Sequence, residues 1–331
     1  MEASARRRVT GKDVAAHAGL SRSTVSQVLN GFGHRFPVET RERVEAAARE
    51  LGYRPSKAGR ALVTGVSDIV VVVVPNVTFG HHLQDAIEEM ARESASLGLS
   101  VVARFAGDDS EATVASLVDL NPAAVVDFGA LTPALRSRLT DAGVLVVPQV
   151  ENLADLESGD PNTAVARVQV AEMVRAPSRR LVYAMVSDQR QDIYGPARAQ
   201  AIAQCAAEHG LEAPRVIGVP LDLEEATSAL APLADDIPLG ICCYNDEVAI
   251  AVMAAARQLG LTVPEDVAVI GMDATEVGQL ISPRLTTVRF DLAAVSRGII
   301  DDLRVLRGGE PVANAAQHSA LPIELVPGET S

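Results

Sequence analysis

The chain of 331 residues is poor in aromatic side chains and has no long apolar runs. It contains no tryptophan, and aromatic residues make up 3% of it, although 48% of the chain is hydrophobic. The cores must therefore be built from valine, leucine, isoleucine and alanine. The apolar run Ile69 to Val74 has the length of a strand, far short of the roughly 18 residues that a membrane-spanning helix needs. We expect no membrane partner.

Cysteine is also scarce. Cys205, Cys242 and Cys243 form an odd set, and two of them are adjacent within an apolar run. Cysteines in this pattern are more often small core residues than metal ligands or partners in a disulfide. The N-terminal sequence MEASARRRVT lacks the apolar segment of a secretory signal. We therefore expect a cytoplasmic protein.

The motifs of common enzyme classes are absent as well. The sequence has no P-loop, no G-x-S-x-G motif and no His/Cys/Asp cluster with metal-ligand spacing. The glycines of GFGHRF, residues 31–36, do not follow a predicted strand and so do not predict a dinucleotide site. The adjacent His81 and His82 would point in different directions at a helix start, which favours surface or pocket histidines over a metal site. We expect no enzyme activity, no catalytic residues, no cofactor and no metal.

What the sequence has instead is a helical stretch between Val9 and Tyr53. Thr10 can cap a first helix, and Gly19 ends it, because glycine is the residue most easily placed just past a helix C-terminus. A second helix is predicted from Arg22 to Leu29 and a third over about Glu39 to Leu51. The apolar positions that would face one another are Val14, Ala15, Ala18, Val25, Val28, Leu29, Val44, Ala47, Ala48 and Leu51.

The turn between the first two helices is short. Only Gly19, Leu20 and Ser21 lie between Ala18 and Arg22, and the middle residue is apolar. Ser21 can cap the second helix. Two helices joined by so tight a turn are typical of the helix-turn-helix arrangement.

The second helix exposes short polar side chains, an amide and one arginine, which suit the reading of base edges in a major groove. These side chains are Arg22, Ser23, Ser26, Gln27 and Asn30. The alternative is a solvated three-helix bundle with no partner. Residues 1–65 hold 12 Lys and Arg against 6 Asp and Glu, a net charge of +6, whereas the whole chain carries −14 and residues 66–331 therefore −20. A basic head on an acidic body favours DNA binding by the head.

The segment Arg54 to Gly65 separates this head from the rest of the chain. Pro55 stops the third helix, and a short helix from Lys57 to about Val63 can follow. One interpretation is a flexible linker, which we expect in the free protein. The other is a hinge that becomes helical on DNA and places Leu62 as a wedge in a minor-groove step.

The hydrophobic pattern changes from residue 68. The β-branched run at 69–74 is typical of a strand buried on both faces of a parallel sheet. Strands and helices then alternate in two similar halves around the irregular stretch 151–163, which predicts two doubly wound α/β lobes facing a cleft. The predicted strands are 69–74, 100–105, 124–128, 145–148, 180–186, 215–219, 240–243 and 267–272, and the predicted helices are 82–96, 110–118, 133–142, 164–174, 196–208, 223–233 and 246–259.

Several segments resemble one known family. They are KDVAAHAGLSRSTVSQVLNG, ETRERV and LGYRP in the head, GRAL in the linker, and CYNDEVAI, LGLTVPEDVAVIGMDAT and SPRLTTVRFDL in the second half. Together, in this order and spacing, they resemble the lactose-repressor/galactose-repressor (LacI/GalR) family of bacterial transcription regulators over essentially the whole chain.

The resemblance implies an all-α helix-turn-helix head, residues 1–53, a hinge, residues 54–66, and a periplasmic-binding-protein-like α/β core, residues 67–331. The first lobe would comprise about 67–160 and 289–318, and the second about 161–288 and 319–331, with crossings near 158–162, 287–291 and 316–320. It also implies a homodimer or tetramer that binds a near-palindromic operator on double-stranded DNA, hence a nucleoid-associated repressor. The C-terminus has no leucine heptads, so a dimer is the default.

The resemblance also assigns roles within the head. Arg22, Ser23 and Gln27 fall where the family reads base edges, whereas Ser26, Thr24 and Asn30 fall where side chains touch phosphate or support the turn. Leu62 matches the wedge leucine. The full set of predicted DNA-binding residues is Thr10, Ser21, Arg22, Ser23, Thr24, Ser26, Gln27, Asn30, Lys57, Arg60 and Leu62.

The family cleft takes a small effector, often a sugar. Arg198 matches the family arginine of that cleft, and Asn245, Asp246 and Asp273 follow predicted strands at positions that match family contacts. For Asp246 a helix-capping role is the favoured alternative, and Asp127 and Gln149 could be satisfied polar groups at strand ends. The family usually places an Asn-Pro-Phe-Phe-like run after the first strand. Here TFGHH stands at residues 78–82 instead, so Phe79 or His81 would have to replace the aromatic residues of that run. The predicted effector residues are Phe79, His81, Asp127, Gln149, Arg198, Asn245, Asp246 and Asp273.

Two rival functions remain at this point. An exported solute-binding protein shares the two-lobe core, but the basic head and the lack of a signal sequence count against it. A regulator with a degenerate cleft, controlled by a partner protein or constitutive, is the second alternative.

Overall fold

A computed structural model describes residues 9–53, 67–75, 82–107, 109–147, 161–176, 179–187, 194–306 and 323–331. The chain divides into two compact units: the first runs to Asp68 and includes Leu120–Ala123, and the second comprises Ile69–Asp119 and Ala124–Ser331. The predicted hinge, residues 54–66, lies outside the described residues. So do six of the predicted site residues, which stay predictions: Lys57, Arg60, Leu62, Phe79, His81 and Gln149.

The head contains three α-helices: α1 (Gly11–Ala18), α2 (Arg22–Gln27) and α3 (Val38–Glu50). Thr10 caps α1 as predicted, because its backbone N–H and its hydroxyl both donate to the Asp13 carboxylate, at 2.8 and 2.7 Å. Gly19 follows α1 with a φ of 63°, a left-handed conformation that favours glycine. The buried core of the head is formed by Val14, Ala15, Ala18, Val25, Val28, Val44, Ala47 and Ala48.

The end of the second helix differs from the prediction. Regular α2 stops at Gln27, and a wider helical turn, Val28–Phe32, and a 3-10 turn, Gly33–Arg35, replace its expected last residues. Gly31 has a φ of 94° within this segment, so the backbone leaves the helical path there. Leu29 is consequently only partly buried against the head core.

The first lobe is a four-stranded parallel sheet in the order β2-β1-β3-β4. The central strand β1 is buried throughout its last five residues, as its β-branched run predicts. Helices alternate with these strands along the chain. The elements are β1 (Ile69–Val74), α4 (His82–Ser96), β2 (Ser100–Phe105), α5 (Ser110–Leu120), β3 (Ala124–Asp127), α6 (Pro133–Asp141) and β4 (Val146–Val147).

The second lobe repeats this plan with a parallel sheet in the order β6-β5-β7-β8. The fold class predicted from the alternating pattern, doubly wound parallel sheets, is confirmed. The elements are α7 (Pro161–Met173), β5 (Arg180–Val186), α8 (Gly195–Glu208), β6 (Arg215–Val219), α9 (Leu223–Leu230), β7 (Leu239–Cys243), α10 (Asp246–Gln258) and β8 (Val267–Ile270). Regular α9 ends three residues earlier than predicted, and a 3-10 turn that contains proline, Ala231–Leu233, follows it.

The C-terminal part of the described chain contributes to both lobes. After the short helix α11 (Glu276–Leu280), which the sequence did not predict, β9 (Thr287–Phe290) pairs antiparallel with β10 (Ile323–Val326). Residues of β9 and β10 pack against the core of the second lobe. Helix α12 (Leu292–Leu306) instead packs on α4 of the first lobe. The chain therefore passes from the second lobe to the first after β9, within the predicted crossing at 287–291.

No helix within the described residues combines the length and the apolar character that crossing a bilayer requires.

The C-terminal tail generates a stability prediction. The Thr330 carbonyl accepts from the Val269 N–H at 2.7 Å, and a Cβ at Gly328 would lie 2.3 Å from the Arg284 carbonyl oxygen. Gly328→Ala should therefore force the tail off β8 and lower the free energy of unfolding by about 1–3 kcal/mol, measured by urea denaturation. Gly107→Ala is the control, because nothing lies within 4 Å of its added methyl group. Equal stabilities for the two variants would contradict this role of the tail.

Candidate DNA-binding surface and effector site

The N-terminus of α2 is built by its own sequence. The Ser21 hydroxyl accepts the Thr24 N–H at 3.0 Å and lies 2.9 Å from the Thr24 hydroxyl. Ser21 is thus the N-cap of α2, as predicted, and Thr24 is engaged with it. Both side chains hold the helix in place at the end where Arg22 and Ser23 are exposed.

The C-terminal end of α2 is held by a second pair. The Asn30 side-chain amide donates to the Ser26 hydroxyl at 3.1 Å, and the Gln27 amide donates to the Ser23 hydroxyl at 3.4 Å. Asn30 and Ser26 therefore support the end of the helix, which is one of the two roles predicted for them. Arg22, Ser23 and Gln27 remain the candidates for base contacts on this surface.

Three contacts within the head were not predicted. Arg43 on α3 donates to the Ala18 carbonyl at 2.9 Å. This carbonyl is at the C-terminus of α1, where the helix itself supplies no hydrogen-bond donor. His17 on α1 lies 2.7 Å from the Glu50 carboxylate on α3. The Arg35 guanidinium stacks over the Phe32 ring at 4.9 Å. The first two pairs are 25 and 33 residues apart in sequence, so no local pattern could have indicated them.

In the first lobe, the carboxylate of Asp127 is bound by groups of the lobe itself. Its side chain is 3% exposed, and one oxygen accepts the Ala130 and Leu131 N–H groups at 2.8 and 3.1 Å. The other oxygen accepts from Arg136 at 2.6 Å. Burial raises the pKa of this carboxyl group, and the Arg136 contact opposes the rise. Asp127 therefore closes the turn after β3, which is the alternative that the sequence left open for it, and its effector contact stays a prediction.

The helix-capping role suggested for Asp246 belongs to its neighbour Asn245. Asn245 is the N-cap of α10, since its side-chain oxygen accepts the Val248 N–H at 3.0 Å. Asp246 is 0% exposed, and its carboxylate accepts from the Thr275 N–H and hydroxyl and from the Thr287 hydroxyl. Asp246 is not the cap of α10, and its oxygens are bound inside the lobe, whereas its effector contact stays a prediction. Asn245, at 2% exposed, is likewise committed to the helix.

Asp273 lies in a strained turn directly after β8. Asp273 and Ala274 have φ angles of 104° and 51°, a left-handed conformation at two adjacent non-glycine residues. Each such residue costs on the order of 1–3 kcal/mol and persists only where surrounding contacts over-determine it. Strain of this kind is concentrated at functional sites. Asp273 is partly exposed, which keeps it a candidate for effector binding.

Arg198 lies among aromatic rings at the start of α8. Its guanidinium stacks at 4.4 Å on the Tyr244 ring and at 5.6 Å on the Tyr194 ring. Its Nη1 donates to the Tyr244 carbonyl at 3.0 Å, and its Nε donates to the Asn162 side chain at 3.3 Å. A planar, fixed guanidinium at a strand carboxyl end is suited to binding a polar ligand.

The two tyrosines are the part of this site that sequence reasoning missed. Tyr244 follows β7 directly, and Tyr194 immediately precedes α8. The Tyr194 hydroxyl donates to the Phe128 carbonyl after β3, so it joins the second lobe to the first. Gly129, with a φ of 85°, allows this approach, since a Cβ there would lie 3.2 Å from the Tyr194 oxygen. The two tyrosine rings thus lie beside Arg198 on the second lobe.

The cysteines match the prediction of core residues. All three are free and buried, and burial raises the pKa of the Cys242 and Cys243 thiols far above its usual range. Within the part of the chain that the structure describes, no three His, Cys, Asp or Glu side chains come together as possible metal ligands.

Comparisons with known proteins agree with this architecture. Residues 10–56 match the family model for bacterial regulatory proteins of the lacI family, and residues 170–331 match that for a periplasmic binding protein-like domain. The HTH-type transcriptional regulator GalS of Salmonella typhimurium is 28% identical over 325 residues, which cover 95% of this chain and 94% of GalS. The HTH-type transcriptional regulator GntR of Pseudomonas aeruginosa is 30% identical over 329 residues, with 93% and 92% covered.

Among solved structures, the fold is similar to that of the lac repressor dimer bound to operator and the anti-inducer ONPF. The TM-score is 0.75 at 22% sequence identity, and the match covers 98% of this chain and 99% of that one.

A helix-turn-helix head joined to a two-lobe core of parallel sheets defines a DNA-binding transcriptional regulator. The chain belongs to the lacI family of bacterial regulatory proteins. Members of this family bind DNA under the control of effectors.

Asp246 gives the stability of the core a defined pH dependence. Burial raises its pKa to about 6, above the value of about 3.9 in an unfolded chain. The ionised carboxylate therefore opposes folding above pH 6, and this penalty disappears as the pH falls towards about 4. We measure the free energy of unfolding by urea denaturation and subtract the value for Asp246→Asn from that for the wild type. This difference should rise as the pH is lowered from about 7.5 to about 4.5.

Asp266→Asn is the control for this prediction. Hydrogen bonds from Thr262 lower the pKa of Asp266, so the same comparison should show no rise over this interval. A constant or falling difference for Asp246→Asn would show that its carboxylate is not buried as described.

Proposed function

We propose that this protein is a repressor that binds a near-palindromic operator as a homodimer and responds to a small polar effector, such as a sugar, in the cleft between its lobes. The head would comprise residues 1–53, the hinge 54–66 and the core 67–331, with the protein acting in the cytoplasm on the nucleoid. The observation that carries the DNA-binding part is the exposed face of α2, where Arg22, Ser23 and Gln27 lie on a helix fixed at both ends.

The DNA contacts divide into two groups. Arg22, Ser23 and Gln27 would contact base edges in the major groove, because guanidinium, hydroxyl and amide groups match the donors and acceptors there. Thr10, Ser21, Thr24, Ser26 and Asn30 would support the helix or touch phosphate. In the hinge, Lys57 and Arg60 would bind phosphate and Leu62 would insert into the minor groove between two half-sites.

The dimer is inferred from the symmetry of the proposed operator and from the family. A single short recognition helix reads only a few base pairs, and two half-sites about one helical turn apart need two heads. The lac repressor, which is similar in fold, was solved as a dimer on its operator.

For the effector, the support is the cluster around Arg198 together with Asp273. A fixed guanidinium, a carboxylate and tyrosine rings are groups that bind the hydroxyl groups and the apolar face of a sugar or polyol. Phe79, His81 and Gln149 would complete the cleft from the first lobe. An effector changes operator binding only as far as it binds one arrangement of the lobes more tightly than the other.

The operator prediction is tested by selecting bound fragments from the organism's genomic DNA with the full-length protein. We expect a near-palindrome with half-sites about one helical turn apart. Arg22→Ala should weaken binding by about 1–3 kcal/mol and relax the preference at one position of each half-site. Arg49→Ala, which removes the same charge from an exposed site on α3, should leave the preferred sequence unchanged. Loss of preference in both variants, or in neither, would contradict the assignment of α2.

The effector prediction is tested by thermal unfolding in the presence of neutral mono- and disaccharides and sugar acids. A ligand at about 100 times its Kd adds about 2.7 kcal/mol, which should raise the Tm of the core by roughly 5–10 °C. Arg198→Met, which keeps an unbranched apolar stem but removes the guanidinium, should abolish the shift without lowering the Tm of the free protein by a comparable amount. An equal shift in that variant would remove Arg198 from the site.

A regulator with a degenerate cleft is the second candidate. The observation that favours it is the internal engagement of Asp127, Asn245 and Asp246, three of the predicted effector residues. No Tm shift with any compound of the panel, together with operator binding that is unaffected by metabolite extracts, would support this candidate.

A further inference from the structure

Hydrogen bonds to one buried carboxylate, that of Asp246, hold the strained turn at Asp273 and Ala274. One oxygen of Asp246 accepts the Thr275 N–H at 2.6 Å and the Thr275 hydroxyl at 2.9 Å. The other oxygen accepts the Thr287 hydroxyl at 2.5 Å. The Thr287 oxygen in turn accepts the Ala274 N–H at 3.3 Å. The carboxylate is therefore linked to the two residues that follow Asp273.

Backbone hydrogen bonds complete this arrangement. The Asp246 N–H donates to the Met272 carbonyl at 2.9 Å, and the Asp273 N–H donates to the Val288 carbonyl at 2.8 Å. Gly271 leaves the space that the carboxylate fills, because a Cβ there would lie 2.1 Å from an Asp246 oxygen. Asp246 thus joins the end of β7, the turn after β8, and β9.

Helix capping does not explain why a carboxylate stands at this position. Asn245 already caps α10. The groups that donate to Asp246 are two hydroxyls and a backbone amide, and the charged neighbour that influences it is another carboxylate, Asp273. Burying an anion costs desolvation free energy, and no cation among these contacts offsets that cost. A contribution to fold stability alone therefore does not explain the carboxylate. Its three hydrogen bonds are all directed at the segment that carries Asp273 and at the strand behind it.

We propose that Asp246 is a positioning residue, whose carboxylate acts through Thr275 and Thr287 to hold Asp273 in the conformation that presents its side chain to the effector. This inference rests on the proposed effector function of Asp273. Asp246 would not touch the effector itself. It would act on the effector contact by fixing the backbone of residues 273–275.

The turn itself is tested without any ligand, by hydrogen–deuterium exchange of the full-length protein. Thr287→Val removes the hydroxyl but keeps the shape of the side chain, so amides 273–276 should exchange on the order of tenfold faster. Thr287→Ser restores the hydroxyl and should return exchange to near the wild-type rate. Unchanged exchange in Thr287→Val would overturn the inference.

A matched control exists within the same lobe. Asp266 accepts the Thr262 N–H and hydroxyl at 2.8 and 2.5 Å, the same pairing as that between Asp246 and Thr275, but it lies before β8 and not after it. Asp266→Asn should leave exchange at 273–276 unchanged. Faster exchange in that variant would mean that any loosening of the lobe reaches the turn, and this too would overturn the inference.

Effector affinity is measured next, with the saccharide of the thermal panel that gives the largest Tm shift as the probe. Asp273→Asn, Asp246→Asn and Thr287→Val should each weaken its binding at least tenfold, whereas Thr287→Ser and Asp266→Asn should stay within about twofold of the wild type. Operator affinity in the absence of the probe should be unchanged in the control variant Asp266→Asn.

The outcomes separate the inference from the proposed function. Weakened binding in Asp273→Asn with wild-type binding in Asp246→Asn and Thr287→Val would overturn the positioning role alone. Wild-type binding in Asp273→Asn, or no saccharide that shifts the Tm, would overturn the effector contact and the inference with it. Weakened binding in Thr287→Ser to the level of Thr287→Val would also overturn the inference, because the hydroxyl would then not be the group that matters.

Discussion

The parallel pairing of strands within each sheet is the constraint on which the core depends. Because all strands of a parallel sheet run in one direction, their carboxyl ends meet at one edge, and the residues that follow them are brought together from distant parts of the sequence. The interior strands are also covered on both faces. Polar groups buried at that edge therefore need hydrogen-bond partners within the protein. Gln169 meets this need by donating to the Cys243 and Gly271 carbonyls at 2.9 and 3.0 Å, and Asp246 by accepting from Thr275 and Thr287.

In the head, most polar side chains of α2 stabilise the helix itself, and few remain for contact with a partner. Ser21, Thr24, Ser26 and Asn30 form short-range hydrogen bonds that fix both ends of α2, and this leaves a small set, centred on Arg22, for contact with a partner. A short helix is marginal without such support. The geometry of the recognition surface is therefore largely determined by residues that need not touch DNA themselves.

The sequence predicted most strands and helices to within about two residues, because hydrophobic periodicity is a local property that tertiary contacts did not override. It did not predict α11, which is only five residues long, or the longer α12, or the early end of α2, where Gly31 takes a positive φ. In the site, Arg198 and Asp273 remain candidates, whereas Asp127 and Asp246 proved to be internal. A carboxylate after a strand has the same sequence pattern whether it faces a ligand or a backbone amide, so only the position of neighbouring loops distinguishes the two.

The sequence by itself determined the class of fold, the helix-turn-helix head, the separation of charge between head and core, and the family, because these follow from period, composition and motif order along the chain. The tertiary structure alone decided which polar residues are free to meet a ligand. Tyr194 reaches Phe128 across the lobes, Tyr244 stacks on Arg198, and Asp246 holds the turn of Asp273 through Thr287, 41 residues further along. Such contacts depend on how distant segments are brought together, and no local pattern encodes that.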